Sequence, residues 1–253
     1  MPFVEVWLAH YHDFVDAQVL SRLKSVISED ERQQCTRFHF ADDRLRHLVT
    51  RALVRMVLSR HAAVDPLDWV FTANAFGRPE IAHPPPDART LRFNISHTRG
   101  LIALAVTRGR EVGIDVENLR EREVSLGIAD RFFSPREAAE LACLPASQQQ
   151  DRFFEYWTLK ESYIKARGMG LSLPLDKFSF RFPKEGEARL SIDPELGDDA
   201  NRWNFWQLRP TPAHLLALCV ERVEGAWPIV NVRTAMPEAG EEVLREAAYG
   251  RAA

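Results

Sequence analysis

Hydrophobic residues recur at helical spacing between residues 42 and 61, and a second helical segment covers residues 151–167. In the first segment the apolar side chains fall three and four positions apart, as on the buried face of a helix. They are Leu45, Leu48, Val49, Ala52, Leu53, Met56 and Val57. The second segment ends at Gly168 and Gly170, residues that stop helices. We therefore predict one long helix in each half of the chain.

Shorter segments predict β-strands. They cover residues 3–9, 69–72, 91–96 and 101–107 in the first half, and 111–117, 177–182, 189–192, 204–208 and 215–220 in the second. Each half thus combines a long helix with antiparallel strands, and the halves end on the similar segments LIALAVT and LLALCVE. The pattern favours a degenerate duplication, in which the interface between the halves is a natural place for a site.

We predict an N-terminal subdomain at residues 1–110, a C-terminal subdomain at 111–225 and a tail at 226–253. The tail is expected to be peripheral, with a short helix over residues 240–249. Two patterns mark the starts of further helices. Ser28 with Glu31 forms a capping box, and Ser134 before Pro135 is an N-cap followed by proline.

The composition narrows the class of protein. The chain has 253 residues, of which 45% are apolar and 27% charged, as in soluble globular proteins. The net charge of -3 argues against binding to long nucleic acids.

The three cysteines are far apart and lack metal-ligand spacing, so we expect reduced thiols. With no secretion signal and no apolar stretch of about 20 residues, the expected location is cytoplasmic and away from membranes.

The segment GIDVE places two carboxylates on one face of a strand. Because side chains alternate along a strand, Asp115 and Glu117 point to the same side. Two such carboxylates repel each other unless a cation or a proton separates them, and hard oxygen ligands suit Mg²⁺. The alternative is an acidic edge exposed to solvent, since this short motif is common.

The segment WTLKESYIK places Trp157, Glu161 and Lys165 on one face of the second long helix, four residues apart. An exposed Glu–Lys pair is the ordinary interpretation. The tryptophan on the same face argues against simple exposure. A lysine can hold a phosphate, and a carboxylate beside it can bind metal or accept a proton.

A third cluster, Asn94-Ile95-Ser96-His97, lies at a strand end, where Ser96 and His97 can donate hydrogen bonds to a phosphate or to their own turn. Arg46, His47 and Arg78 could add positive charge to the same pocket. Each of these residues is weak evidence when taken alone.

The chain closely resembles the Sfp-type 4′-phosphopantetheinyl transferases in four segments, which occur in the order FGRP, NISH, GIDVE and WTLKESYIKARGMGL. The resemblance spans about residues 3 to 222 and includes CTRF at residues 35–38. It implies an α+β fold of two similar α/β subdomains around a pseudo-twofold axis, in a monomer that binds coenzyme A in the cleft between them.

The resemblance also implies roles for the residues. Asp115, Glu117 and Glu161 should hold Mg²⁺, with Mn²⁺ as the alternative ion, and Asp115, Glu161 and Lys165 should be catalytic. The coenzyme A contacts are expected at Arg46, His47, Arg78, Ser96, His97 and Lys165. The implied reaction moves 4′-phosphopantetheine from coenzyme A to a serine of an apo acyl or peptidyl carrier protein and releases adenosine 3′,5′-bisphosphate. The carrier is expected to dock transiently near Leu119–Phe133.

The chain departs from the family before CTRF, where members often carry lysines that help to bind the 3′-phosphate. Here the segment is Asp30-Glu31-Arg32-Gln33-Gln34, with Arg32 or Arg37 as substitutes to be considered. The identity of the general base and of the acceptor protein stays open. Two other functions fit some of the motifs, namely a metal-dependent phosphodiesterase and a non-catalytic coenzyme A-binding protein.

Overall fold

The computed structural model describes residues 3–121, 127, 129–184, 187–224, 228–238 and 244–251, without the side chains of 130, 171 and 244–251. Six helices lie in this part of the chain: α1 Ala17–Ser25, α2 Glu29–Arg37, α3 Ala41–Ser59, α4 Ala129–Phe132, α5 Pro135–Cys143 and α6 Ala146–Arg167. The twelve described strands are β1 Phe3–Ala9, β2 Phe71–Ala73, β3 Pro79–Ile81, β4 Leu91–Thr98, β5 Leu101–Arg108, β6 Val112–Asn118, β7 Phe178–Lys184, β8 Glu187–Ile192, β9 Trp203–Thr211, β10 His214–Glu221, β11 Ile229–Pro237 and β12 Leu244–Arg251. The predicted α+β class is confirmed.

The first half is built on a five-stranded sheet of order β12-β11-β1-β5-β4. Helix α3 packs on this sheet through the periodic residues that predicted it, and Leu53 and Val57 are buried against strand residues such as Leu104. The capping box at Ser28 is present at the start of α2. The β4–β5 hairpin turns at Gly100, whose φ of 91° favours glycine. This turn holds the end of β4, and with it Ser96 and His97, beside the second half.

The second half is built on a three-stranded sheet of order β6-β10-β9, with α6 packed on one face. The opposite face carries Ile114 and Val116, which are buried against apolar residues of the first half such as Val6 and Leu8. Strands β7 and β8 form a separate two-stranded ribbon. The predicted N-cap at Ser134 is confirmed, as is Pro135 in the first turn of α5.

The C-terminal segment belongs to the first sheet. Strand β11 pairs in parallel with β1, from Phe3 opposite Ile229 to Ala9 opposite Ala235, and Val230 and Val232 are buried. The helix predicted over 240–249 is wrong for residues 244–249, which lie in β12, and residues 240–243 lie outside the described part. Pairing with β11 overrides the helical preference of this polar segment. The division into subdomains at residue 110 stays a prediction.

Side chains, not backbone pairing, join the two sheets along β4 and β6, which are edge strands. Asn94 accepts a hydrogen bond from the backbone N–H of Ile114 at 2.9 Å, and Ser96 accepts one from Val116 at 3.2 Å. Thr98 accepts a third, from Asn118 at 3.3 Å. We call these three bonds the seam. They satisfy edge N–H groups of β6 that would otherwise lack partners.

No helix in the described residues combines the length and the apolar character needed to cross a membrane.

Candidate active site

Helix α6 lies directly on strand β6, and Gly113 makes this approach possible. A Cβ atom at Gly113 would meet the backbone oxygen of Ser162 at 2.0 Å and the backbone nitrogen of Ala166 at 2.3 Å. Because strand residues alternate, Asp115 and Glu117 lie on the same face as Gly113 and therefore face the helix. The glycine of the GIDVE motif thus sets the distance between the carboxylates and α6.

Asp115 is nearly buried and lies at the centre of the site. Its Oδ1 atom accepts hydrogen bonds from the Lys165 ammonium at 2.6 Å and from the Ser96 hydroxyl at 2.9 Å. The Lys165 ammonium also donates to the Ser96 oxygen at 3.0 Å. Three motifs that are far apart in the sequence therefore meet within hydrogen-bonding distance. Ser96 uses its one donor and both acceptor positions here, because it also accepts from Val116 in the seam.

The other two predicted acids lie on either side of this centre. Glu117 accepts a hydrogen bond from the indole N–H of Trp157 at 3.0 Å, which explains the tryptophan on the polar face of α6. Burial raises the pKa of the Glu161 carboxyl above its ordinary value, and the nearby negative charge of Asp115 adds to the rise, while Lys165 opposes it. Asp115 and Glu161 are therefore close enough to repel each other.

The oxygen donors present suit a hard divalent ion, although they are not gathered around one point. The Oδ2 atom of Asp115 is buried and has no hydrogen-bond partner. Such an oxygen normally has a partner, and a cation would provide one. In the described part of the chain, no group of three or more Asp, Glu, His or Cys side chains is arranged to bind a metal ion. Glu117 and Asp115 are instead held by Trp157 and Lys165.

Beside this centre lies a cavity of about 370 Å³ between the two halves. It is lined by Phe38, Asp43, Arg46, His47, Thr50, Arg51, Pro79, Ile95, Ser96, His97 and Lys165. Five of the six residues predicted to contact coenzyme A are brought together here, and Arg78 is the exception. Three cations against one carboxylate make the lining suited to an anion.

The two histidines in the cavity favour their neutral forms. Desolvation lowers the pKa of His97, and the positive charges of Arg46, Lys165 and Arg51 lower it further. Desolvation and the charge of Arg51 likewise lower the pKa of His47, whose ring Nε2 lies 3.3 Å from the backbone oxygen of Glu31. Neutral rings add no positive charge to the cavity, and the single N–H of neutral His47 is directed at the Glu31 oxygen, because a backbone oxygen can only accept.

Comparison with known proteins supports what this site indicates. Residues 111–219 match the 4′-phosphopantetheinyl transferase superfamily, and residues 14–108 match a second family described as 4′-phosphopantetheinyl transferase, N-terminal. The 4′-phosphopantetheinyl transferase ffp of Bacillus subtilis is 36% identical over 201 residues, covering 79% of this chain and 85% of that protein. The chain belongs to the 4′-phosphopantetheinyl transferase superfamily.

Two further relatives match over similar lengths. The 4′-phosphopantetheinyl transferase Sfp of Bacillus subtilis strain 168 is 36% identical over 198 residues, covering 78% of this chain and 84% of that protein. HetI of Nostoc sp. strain PCC 7120 is 33% identical over 201 residues, covering 79% and 81%. The solved Thermotoga maritima holo-[acyl-carrier-protein] synthase (AcpS) matches with a TM-score of 0.37 and 19% identity over 56% of this chain and 84% of that one. This last likeness is too slight to argue from.

Arg78 is not among the residues that line the cavity. Its guanidinium donates to the backbone oxygens of Lys165 at 3.2 Å and Ala166 at 3.0 Å, and it pairs with Glu111 at 2.6 Å. Arg78 therefore caps the C-terminal end of α6, where a cation also interacts favourably with the helix dipole. The structure gives it a role in holding Lys165, and its contact with coenzyme A stays a prediction.

The residues that depart from the family pattern do not bring positive charge to the cavity. Arg32 donates to the backbone oxygens of Lys24 at 2.9 Å and Ile27 at 2.7 Å and so caps the end of α1. Glu31 pairs with Arg55 at 2.7 Å and completes the capping box of α2. Arg37 is exposed at the end of α2. Within the segment from Asp30 to Gln34, Glu31 and Arg32 therefore have structural roles.

Two features, one in the cavity and one in the support of α6, were not predicted from the sequence. Arg51 lines the cavity, and its position one helical turn after His47 could have revealed it. Lys160 is 0% exposed, pairs with the equally buried Glu137 at 2.8 Å and donates to the backbone oxygen of Phe178 at 2.6 Å. This ion pair ties α6 to α5 and β7. A lysine among apolar positions of a helix was the available clue, since buried charges are almost always paired.

Proposed function

We propose that this protein transfers the 4′-phosphopantetheine group of coenzyme A to a serine of an apo carrier protein. Membership of the superfamily and the activity for which its relatives are named support this function. The single structural observation that carries it is the meeting of Asp115, Lys165 and Ser96 at one end of a cationic cavity.

The proposed binding mode follows from charge. The cavity would take the phosphate-bearing part of coenzyme A, with Arg46, His47, Ser96, His97 and Lys165 around it. The cations are suited to neutralise phosphate charge, and the two histidines to line the cavity without adding charge. The pyrophosphate must lie at the Lys165 end, because the bond that breaks has to be next to the acidic centre.

We further propose that Asp115, Glu117 and Glu161 hold Mg²⁺, with Mn²⁺ as the alternative ion. When bound, the ion would supply positive charge that neutralises the pyrophosphate. The buried Oδ2 atom of Asp115, which has no partner, supports this assignment. Asp115 could bind the ion through Oδ2 while Oδ1 keeps its bond to Lys165, and Glu117 would share its carboxylate between the ion and Trp157.

In the proposed reaction, the serine oxygen of the carrier forms a bond to the pantetheine-bearing phosphorus. The bridging P–O bond breaks, and adenosine 3′,5′-bisphosphate leaves with the bond electrons. Lys165 stabilises the charge of the departing phosphate, and Glu161 accepts the serine proton. The raised pKa of Glu161 brings its basicity closer to that required at neutral pH.

The carrier is proposed to dock beside the residues that follow β6. The predicted surface ran from Leu119 to Phe133, but Leu119, Ala129 and Phe133 are buried in the core of the second half. Residues 122–126 and 128 lie outside the described part. The docking surface therefore stays a prediction. Because all groups of the site come from one chain, we propose that the protein acts as a monomer.

The test is mass spectrometry of an apo acyl carrier protein and an apo peptidyl carrier protein, each incubated with this protein, coenzyme A and Mg²⁺. We expect a gain of one phosphopantetheine on the carrier, and its loss when EDTA is added. Hydrolysis of coenzyme A without a carrier would instead support a phosphodiesterase. Binding of coenzyme A with no modification of either carrier would support a binding protein. Comparing the two carriers identifies the preferred acceptor.

A further inference from the structure

The cations that line the cavity differ in how far they are already neutralised. The Arg46 guanidinium lies 2.5 Å from a carboxylate oxygen of Asp43 and 3.9 Å from one of Asp42. The Lys165 ammonium pairs with Asp115 at 2.6 Å. Both residues therefore have acidic partners within the protein itself.

Arg51 has no such partner. Its side chain is half-buried at the cavity, and it forms no ion pair or hydrogen bond with any residue that the structure describes. Its charge nevertheless acts within the cavity, since it helps to lower the pKa values of both His47 and His97. A partly desolvated cation without a counter-charge is unfavourable, and an anionic ligand would remove that cost.

The position of Arg51 separates it from the reacting bond. Arg51 lies on α3 in the first half, whereas Lys165 and Asp115 lie on α6 and β6 in the second. Arg51, His97 and Lys165 line the same cavity, and the positive charges of Arg51 and Lys165 both act on His97. A ligand with two separate phosphate groups would meet both charges, one on each wall.

We propose that Arg51 binds the 3′-phosphate of coenzyme A and makes the enzyme discriminate against ligands that lack this phosphate. This inference rests on the proposed function. A phosphate monoester carries nearly two negative charges and offers the oxygen geometry that a guanidinium binds with two parallel hydrogen bonds. The pyrophosphate cannot serve both walls, because its place is beside Lys165.

The experiment compares coenzyme A with 3′-dephospho-coenzyme A by isothermal titration calorimetry, in the same Mg²⁺-containing buffer. The proteins are the wild type, Arg51→Gln and Arg51→Lys. As a control, Arg181→Gln removes one positive charge from an exposed position on the β7–β8 ribbon. Thermal unfolding of each variant establishes that it is folded.

We expect Arg51→Gln to weaken the binding of coenzyme A by roughly tenfold to a hundredfold, as for the loss of a charged hydrogen bond. Its affinity for 3′-dephospho-coenzyme A should stay within about twofold of the wild-type value. Arg51→Lys should recover part of the loss, and Arg181→Gln should bind both ligands like the wild type. The two ligands should thus differ in affinity much less in Arg51→Gln than in the wild type.

Two results would overturn the inference while leaving the proposed function standing. One is wild-type protein that binds both ligands equally well. The other is that Arg51→Gln weakens the binding of both ligands by the same factor. Arg51 would then attract the ligand by its charge alone or bind the pyrophosphate. Wild-type protein that binds neither ligand would contradict the proposed function itself, and the inference with it.

Discussion

The ammonium of Lys165 lies 2.6 Å from Oδ1 of Asp115, so the residue proposed to bind phosphate is paired with a residue proposed to bind the metal ion. On the helix, Lys165 and Glu161 are one turn apart, and their proximity suggested a pair of their own. The structure pairs Lys165 across the site instead. A cation bound at the partner-free Oδ2 atom of Asp115 would share this carboxylate with Lys165 and weaken its hold on the ammonium, which would then be available to the ligand.

Replacement of Lys165 by methionine should separate these two roles. Without the ammonium, Asp115 and Glu161 repel each other with no internal cation between them, so the affinity for Mn²⁺ should rise by roughly tenfold. Phosphopantetheine transfer should be lost. Electron paramagnetic resonance of bound Mn²⁺ measures the first effect and mass spectrometry of the carrier the second. Unchanged or weaker Mn²⁺ binding would show that the ion does not compete with Lys165.

Replacement of Asp115 by alanine should abolish transfer while the protein stays folded. Lys165 is partly exposed, so its ammonium can reach water once its partner is gone. We expect the thermal midpoint to fall by only a few degrees. Circular dichroism and carrier modification measured on the same sample test both parts, and an active variant would contradict the assigned site.

Ser96 and Thr98 allow a matched test of the seam. Both accept a hydrogen bond from an N–H of β6, but Ser96 alone of the two also contacts Asp115 and Lys165. Ser96→Ala and Thr98→Val should each cost about 1–3 kcal/mol of unfolding free energy, since each leaves an N–H without a partner. Turnover should fall roughly tenfold or more in Ser96→Ala and little in Thr98→Val. Equal losses of turnover would reduce Ser96 to a purely structural role.

Gly113→Ala should push α6 away from β6. The added Cβ would lie 2.0 Å from the Ser162 oxygen, far inside contact distance, so we expect about 1–3 kcal/mol of destabilisation or more and a large loss of transfer. Gly109→Ala is the comparison, because its Cβ meets nothing within 4 Å and only the backbone angle of 66° is unfavourable. Gly109→Ala should cost about 1–2 kcal/mol and leave transfer intact.

Glu155 provides a test of pH dependence away from the site. Burial raises the pKa of Glu155 above 4.5, against the opposing charges of Arg152 and Arg209. The folded state therefore binds its proton more tightly than the unfolded state, and stability is lost as the pH rises through the folded-state pKa. Glu155→Gln removes this loss. Its melting temperature relative to wild type should be higher at pH 7 than at pH 4, while the exposed Glu224→Gln should show no such difference.

Short-range patterns predicted the parts of the site that lie within one element. Alternation along a strand placed Asp115 and Glu117 on one face, and helical spacing placed Glu161 and Lys165 on another. The capping motifs at Ser28 and Ser134 were also evident from the sequence. In each case the relevant geometry depends on a few neighbouring residues, so the sequence contains it.

Partners that are distant in the chain were not predictable in this way. Arg78 follows a glycine in a turn, and nothing local indicates that it binds the backbone of Lys165, 87 residues later, near the end of a helix. The segment at 229–237 contains alternating apolar residues, yet its pairing with β1 depends on a free strand edge that only the assembled sheet provides. Arg51 resembled an ordinary surface arginine until the cavity brought it beside His47 and His97.

The parallel pairing of β11 with β1 has a consequence for the order of folding during synthesis. Strand β1 leaves the ribosome more than 200 residues before the strand that pairs with one of its sides. While the residues between them are made, that edge of β1 is without its native strand and must be kept from pairing with other chains. The first half therefore reaches its native state only after the second has emerged, and shortening the chain before Ile229 should lower the yield of folded protein even though every catalytic group is present.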